Sequence, residues 1–271
     1  GVYVSNQMSL DNFKVNLGLR YDESESRQQG RDKQEDDAFS ASVGVLYALE
    51  NGFSPYISYA ESFEPVIGTD NVTQKPLKPR EGKQYEAGIK FQPDGTSTYL
   101  TVAYFDIEES NLDNPQALAN GGGASSQQEG IATSKGFEVE GYTEFGDFDV
   151  KAGYSQLNTE NAEDNKFDSV PDEKFSAWLG YHSSDVQGLK SGFGIRYQGD
   201  NESNSVNPEV KVVTKGQTVY DLMVGYEMRD WDFSLNVRNL QDKEYYNTCL
   251  ARGDCFPGER RTVVASAAYS F

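Results

Sequence analysis

The sequence predicts an all-β chain that crosses a membrane as an antiparallel transmembrane β-barrel. Three observations lead there: apolar and polar residues alternate, the alternating segments are long, and short connections take turns with long ones. Phe13, Val15, Leu17, Leu19 and Tyr21 alternate with Lys14, Asn16, Gly18 and Arg20. Phe39 to Tyr47, Phe148 to Tyr154 and Trp231 to Val237 repeat the pattern. Period two puts one set of side chains on each face of a sheet. One face is then apolar and aromatic, the other small, polar or charged. Helical spacing is not sustained anywhere.

About thirteen such segments start near Gly1, Asn12, Phe39, Phe53, Lys83, Ser97, Ser134, Asp147, Lys174, Lys190, Val219, Asp230 and Arg261. Most run roughly 9 to 14 residues, against about 5 to 6 for an ordinary soluble strand. A tilted strand that spans a bilayer needs about 9 to 11. The short links are Ser9 to Asn12, Glu50-Asn51-Gly52, Gln92 to Gly95, Phe145-Gly146-Asp147, His182 to Leu189 and Met228-Arg229-Asp230. Asn51-Gly52 and Asp94-Gly95 are hairpin dipeptides that supply positive φ. The long links span roughly 22–38, 64–82, 108–134, 157–174, 199–217 and 241–260 and are rich in Asp, Glu, Asn, Gln, Ser and Gly. In a soluble barrel both rims face the same solvent, so nothing enforces that asymmetry. An outer-membrane barrel has short periplasmic turns on one rim and long extracellular loops on the other. All six long links are expected on one rim, and Phe271 on the periplasmic side.

The polar strand faces then line a wide lumen filled by water or a plug. Lys14, Arg20, Glu86, Lys90, Glu138, Glu140, Lys151, Arg196, Asn236 and Arg238 are expected to point into it. The balance of 24 basic against 43 acidic residues, a net charge of −19, excludes a basic nucleic-acid footprint. With 15 Phe, 17 Tyr and 2 Trp, the chain is too aromatic for a disordered acidic segment. No window approaches 18 consecutive apolar residues, so a transmembrane helix is not expected. Gly1-Val2-Tyr3-Val4 reads like the inside of a strand, as a fragment would.

Cys249 and Cys255 are the only cysteines and fall in the last long link. A close pair without other thiols in a secreted loop reads as a disulfide. The alternative is a metal site, but two thiolates are too few ligands, and the single histidine, His182, belongs to a short turn. A nucleophilic triad also needs a base, and one histidine on the short-turn rim does not provide it, so no catalytic constellation emerges. Glu163-Asp164-Asn165-Lys166-Phe167-Asp168 is a solvated acidic stretch, suited to divalent cations and through them to lipopolysaccharide phosphates, with calcium binding as its sharper reading. Gly121-Gly122-Gly123 reads as a loop tip, outside the strand-to-helix context of a phosphate loop.

Several segments carry a family resemblance. Gly216 to Tyr226 (GQTVYDLMVGY) and Phe233 to Tyr246 (FSLNVRNLQDKEYY) resemble the C-terminal signatures of TonB-dependent siderophore receptors. Gly258-Glu259-Arg260-Arg261-Thr262-Val263 and the terminal Phe271 are similar to the close of that family. Upstream, Ser58 to Phe63, Leu77 to Gly88 and Gly136 to Glu140 resemble three more of its segments, with Lys135 in place of the usual Arg. The resemblance implies the C-terminal part, about 13 strands, of an outer-membrane barrel of about 22 strands. Residues 1–271 would then all be barrel, with earlier strands and an N-terminal plug before Gly1. It further implies uptake of a ferric siderophore energised through the TonB protein, with no cofactor and no protein ligand to iron. The disulfide in the final loop resembles the ferric-hydroxamate, ferrichrome-type subgroup. A passive porin is the alternative, although it needs a constriction loop that these segments do not resemble.

Receptors of this kind line the outer vestibule with aromatics. Here those near the outer strand ends are Phe63, Phe167, Tyr245, Tyr246 and Phe256. Phe256 follows the second cysteine directly, Phe63 closes a strand, and Tyr245 and Tyr246 alternate, so at most one of that pair faces the vestibule. Phe256, Phe63 and Tyr246 are the expected ligand contacts, set against a membrane-interface role for the same residues.

Overall fold

A computed structural model describes residues 1–27, 33–70, 75–113, 128–161, 165–204 and 211–271. Every regular element among them is a strand: β1 (Val2–Leu10), β2 (Phe13–Ser26), β3 (Gln34–Tyr47), β4 (Phe53–Glu64), β5 (Arg80–Phe91), β6 (Tyr99–Asp113), β7 (Gln128–Phe145), β8 (Phe148–Glu160), β9 (Glu173–His182), β10 (Leu189–Gln198), β11 (Asn201–Asn204), β12 (Lys211–Thr214), β13 (Gln217–Met228), β14 (Trp231–Arg238), β15 (Tyr246–Cys249), β16 (Cys255–Pro257) and β17 (Thr262–Tyr269). Thirteen form one sheet in the order β1-β2-β3-β4-β5-β6-β7-β8-β9-β10-β13-β14-β17. The other four make two small hairpins, β11-β12 and β15-β16. All thirteen expected segments are present, in sequence order.

The chain divides into two compact units. The first holds Gly1–Lys90, Ala103–Gly136 and Asn158–Phe167; the second holds Phe91–Val102, Phe137–Leu157 and Asp168–Phe271.

In the first unit β1 to β4 pair antiparallel, with Leu17 opposite Val43 and Val15 opposite Val45. Leu17, Leu19, Phe39 and Ile57 share an exposed apolar face, Ile57 at 63%. A soluble fold would bury such a surface; here it is the outside of a wall. On the opposite face Arg20 grips Asp22 at 2.5 and 2.7 Å. The Tyr56 hydroxyl donates to Glu86 at 2.5 Å, with Lys90 5.1 Å above the Tyr56 ring.

The second unit repeats the scheme. Leu179, Phe193, Val224, Phe233 and Leu235 stand exposed on one face. The other carries Lys190 with Glu227 and Asp232, His182 with Asp149, and Arg196 with Asp221. Trp231, Phe233, Tyr269 and Phe271 gather near the 229–230 turn, with ring centroids 5.0 to 5.5 Å apart. The buried apolar residues among those described are only Leu77, Ala103, Ala132 and Val219. Burial is shared out along a sheet instead of collected in a centre.

The short links close as expected. Positive φ falls at Asp11, Gly52, Gly95, Gly146 and Arg229. Gly188, at φ 86°, ends the 183–188 turn, and a Cβ there would lie 2.1 Å from the Glu227 carbonyl oxygen. The long links differ from expectation in their limits. β2 runs on to Ser26 and β3 begins at Gln34, so most of 22–38 is strand; β6 and β7 likewise take both ends of 108–134. Polar residues can extend a ladder into water once neighbours are in register, but they carry no apolar alternation to announce it. The Gly121-Gly122-Gly123 tip and Glu163-Asp164 lie outside the described residues.

Candidate ligand-recognition site

At the loop end of the second unit, β14 gives way to the 241–260 link at Asn239. This residue is 1% exposed and has φ 50°, a left-handed conformation that Asn tolerates better than most residues. Its Nδ2 donates to the carbonyls of Lys243 and Glu259, both at 2.9 Å. Its Oδ1 accepts from the Lys243 amide at 2.9 Å, and its own amide donates to Asp221. One side chain therefore ties both ends of the link together. It thereby satisfies backbone groups where β14 ends.

Arg260 supports the same link. It donates to both oxygens of Asp242, at 3.0 and 2.8 Å, and to Glu244. The guanidinium holds the Asp242 carboxyl well below the usual carboxylate range. Asp200 is lowered likewise, by the Lys215 ammonium and the Gly216 amide. Carboxyls depressed in the folded state contribute at all pH above the ordinary carboxylate range, and are lost only as pH falls through their lowered values.

The link then becomes the β15-β16 hairpin, closed by the Cys249–Cys255 disulfide with Cα atoms 4.1 Å apart. It does not stand free. The Cys249 amide donates to Thr214 Oγ1 at 2.7 Å and the Ala251 amide to Ser203 Oγ at 3.1 Å. Thr248 Oγ1 meets Asn201 Oδ1 and Ser169 Oγ, both at 2.9 Å. Asp168 accepts from Ser203 and from the Asn204 amide, so this one carboxylate serves as a clamp. Asn201, Ser203 and Thr214 are buried. Parts of three long links thus form one hydrogen-bonded body. Replacing both cysteines by serine is expected to loosen the hairpin by about 2 kcal/mol, the chain-entropy value for so small a ring. Faster exchange of the amides at positions 249 and 251, with the strands unchanged, is the reading that checks it.

Beneath this body lies a concavity of about 520 Å³, lined among others by Glu138, Glu140, Lys174, Arg196, Gln217 and Tyr245. Arg196 is held by Asp221 at 2.7 and 2.9 Å. Gln217 is buried, and its Oε1 has no partner among the described residues. The Tyr245 ring lies against Gly258, where a Cβ would come within 1.9 Å of it.

Of the expected contacts, Tyr246 and Phe256 sit on β15 and β16 and are 53% and 47% exposed. Phe63 belongs to the first unit, near the end of β4 and on the face it shares with Ile57 and Tyr59. Tyr245, not Tyr246, reaches the concavity. The signal for it was Gly258, which alone leaves room for the ring.

A sheet whose outer face is apolar and exposed, whose other face is charged, and whose long links are built up at one end of each unit is the wall of a transmembrane barrel. The family profile "TonB dependent receptor-like, beta-barrel" matches residues 1–240. The chain belongs to that family, whose members are β-barrels of the bacterial outer membrane. Over its whole length it is 34% identical to the ferrichrome outer membrane transporter/phage receptor of Escherichia coli K12 and 30% identical to the ferrioxamine receptor of Yersinia enterocolitica. It spans 38% and 39% of those two proteins. The Pseudomonas aeruginosa ferripyoverdine receptor bound to ferripyoverdine superposes on 99% of the chain with a TM-score of 0.87 at 26% identity, and the chain covers 38% of it.

Proposed function

We propose that this chain is part of the wall of an outer-membrane receptor that takes up a ferric siderophore, with energy delivered through TonB. The observation that carries the reading is the joined loop body of the second unit, whose 241–260 link carries exposed Tyr246 and Phe256 and lines the concavity with Tyr245, in a chain of the TonB-dependent receptor family. Whole-length similarity to proteins named for ferrichrome and ferrioxamine supports a ferric hydroxamate as cargo. So does the disulfide in the final link. The siderophore holds the iron, and the protein contributes shape and aromatic contact. The plug and the TonB-contact segment, in this reading, precede Gly1. Carboxylates at the loop ends of the strands would meet lipopolysaccharide phosphates through divalent cations.

Uptake of radio-iron by cells carrying the intact receptor tests the proposal. Saturable uptake that stops when the proton-motive force is collapsed supports it. Uptake linear in concentration and indifferent to that collapse would instead be porin behaviour. Within the site, Phe256→Ala is expected to weaken siderophore binding by about 1 to 2 kcal/mol, roughly 5- to 30-fold, with the barrel still folded. Equilibrium binding to the folded mutant decides it, and unchanged affinity removes Phe256 from the site.

A further inference from the structure

Charge at the loop ends bears on which chelates can enter. Segments 22–38, 64–82, 108–134, 157–174, 199–217 and 241–260 together hold 27 acidic and 13 basic residues, so most of the chain's net −19 resides in them. In the second unit, every basic side chain of this region among the described residues except Lys174 is already engaged. Lys211 pairs with Glu202 at 2.5 Å, Lys215 with Asp200 at 2.7 Å and Arg252 with Asp254 at 2.5 Å. Arg260 is held by Asp242 and Glu244, Arg238 by Glu259 at 3.1 Å, and Arg196 by Asp221 at 2.7 Å. Lys243 Nζ donates to the Thr218 carbonyl at 3.3 Å. Lys174 has no such bond among the described residues, and one lysine is not a cluster.

A polyanionic chelate leaves water only where charged donors replace its hydration, and clustered Arg or Lys forks do this best. Here Arg196, Arg238, Arg252, Arg260, Lys211 and Lys215 are each occupied by a carboxylate of the protein itself. An incoming anion would have to displace that carboxylate and approach through a field of its own sign, which extends about 8 to 10 Å at physiological salt. A neutral chelate faces neither cost, and a cationic one gains from the same field. We infer that this receptor selects neutral or cationic ferric chelates and rejects polyanionic ones. The inference rests on the ferric-siderophore reading and narrows its substrate class.

The test keeps the iron core constant and varies one charge. Ferric desferrioxamine B carries a free ammonium; its N-acetyl derivative is neutral at that end, and its N-succinyl derivative ends in a carboxylate. Equilibrium binding is measured on outer membranes bearing the intact receptor. The succinyl complex is expected to bind roughly tenfold more weakly than the ammonium complex at ~20 mM salt. The gap is expected to close to within about threefold at ~0.5 M. Combining Glu202→Gln with Asp254→Asn, which frees Lys211 and Arg252, should narrow the low-salt gap while leaving the neutral complex unaffected. A succinyl complex that binds as tightly as the others, or a gap that ignores both salt and the double variant, overturns the inference. Failure of all three to bind while a ferric tris-catecholate trianion binds overturns it too, and leaves the receptor reading standing. Failure of every ferric chelate to bind overturns the receptor reading itself.

Discussion

Refolded by itself in detergent, the 271-residue chain is expected to give no closed, heat-resistant barrel. In the thirteen-stranded order β1 and β17 each have a single neighbour, β2 and β14. β1 is exposed along its whole length, and Val2, Tyr3 and Val4 are each at least 70% exposed. In hydrocarbon every unpaired backbone N–H and C=O costs several kcal/mol, because no water replaces the missing partner. Two free edges of eight or nine residues multiply that cost beyond anything the exposed apolar face recovers. The measurement is electrophoretic mobility with and without boiling, alongside circular dichroism in the same detergent. A compact band that boiling converts to a slower one would mean that β1 and β17 find each other, and the wall reading of this chain would fail. The same chain supplied with further strands of its family's barrel should regain the heat-resistant form, since its own strand pairs are already complete.

How much of this was legible in the sequence depends on what set each feature. Phe13 to Tyr21 could be placed because burial against lipid demands alternation, and alternation is visible in a single chain. The extension of β2 through Glu23 and Glu25, paired with Asp37 and Glu35, is set by register with β3 and by water; no apolar residue marks it. The hairpins β11-β12 and β15-β16 were hidden for the same reason, since their partners are polar side chains from other links. Arg196 and Asp221 were each assignable to the charged face. Their pairing needs Gly194 to sit opposite Asp221, a register fixed across a long link that the sequence does not constrain. Between Tyr245 and Tyr246, parity showed that one must turn away from the lumen. It could not choose between them, because the strand has ended and the 239–243 turn sets the direction. Asn239 carries a signal of its own kind, a polar, turn-tolerant residue at the end of an apolar strand, where its side chain can satisfy backbone groups.

Asn239→Ala is expected to be the most damaging single substitution at the loop end of the second unit. It deletes the donor to the Lys243 and Glu259 carbonyls and the acceptor of the Lys243 amide, around a residue 1% exposed. Each group left buried without a partner costs about 1 to 3 kcal/mol. A left-handed φ adds roughly 1 kcal/mol for alanine, which asparagine partly avoids. Together these give a local loss of about 3 kcal/mol or more for the 241–260 link. Asn239→Gly separates the two parts: it tolerates the positive φ, so the difference between Gly and Ala measures the backbone share. Asn239→Asp keeps the acceptor for the Lys243 amide but turns a carboxylate oxygen toward two carbonyls. It should therefore be no better than alanine. Limited proteolysis of the 241–260 link and amide exchange at Lys243 read the effect in the intact receptor, with heat-modifiable mobility showing that the strands remain assembled. If the proposed siderophore contacts Tyr246 and Phe256 are right, affinity should fall in the order wild type, Gly, Ala, because both are carried by this link. Wild-type exchange at Lys243 in the alanine variant would mean that water or neighbouring groups satisfy those carbonyls, and Asn239 would lose its role as the tie between the two ends of the link.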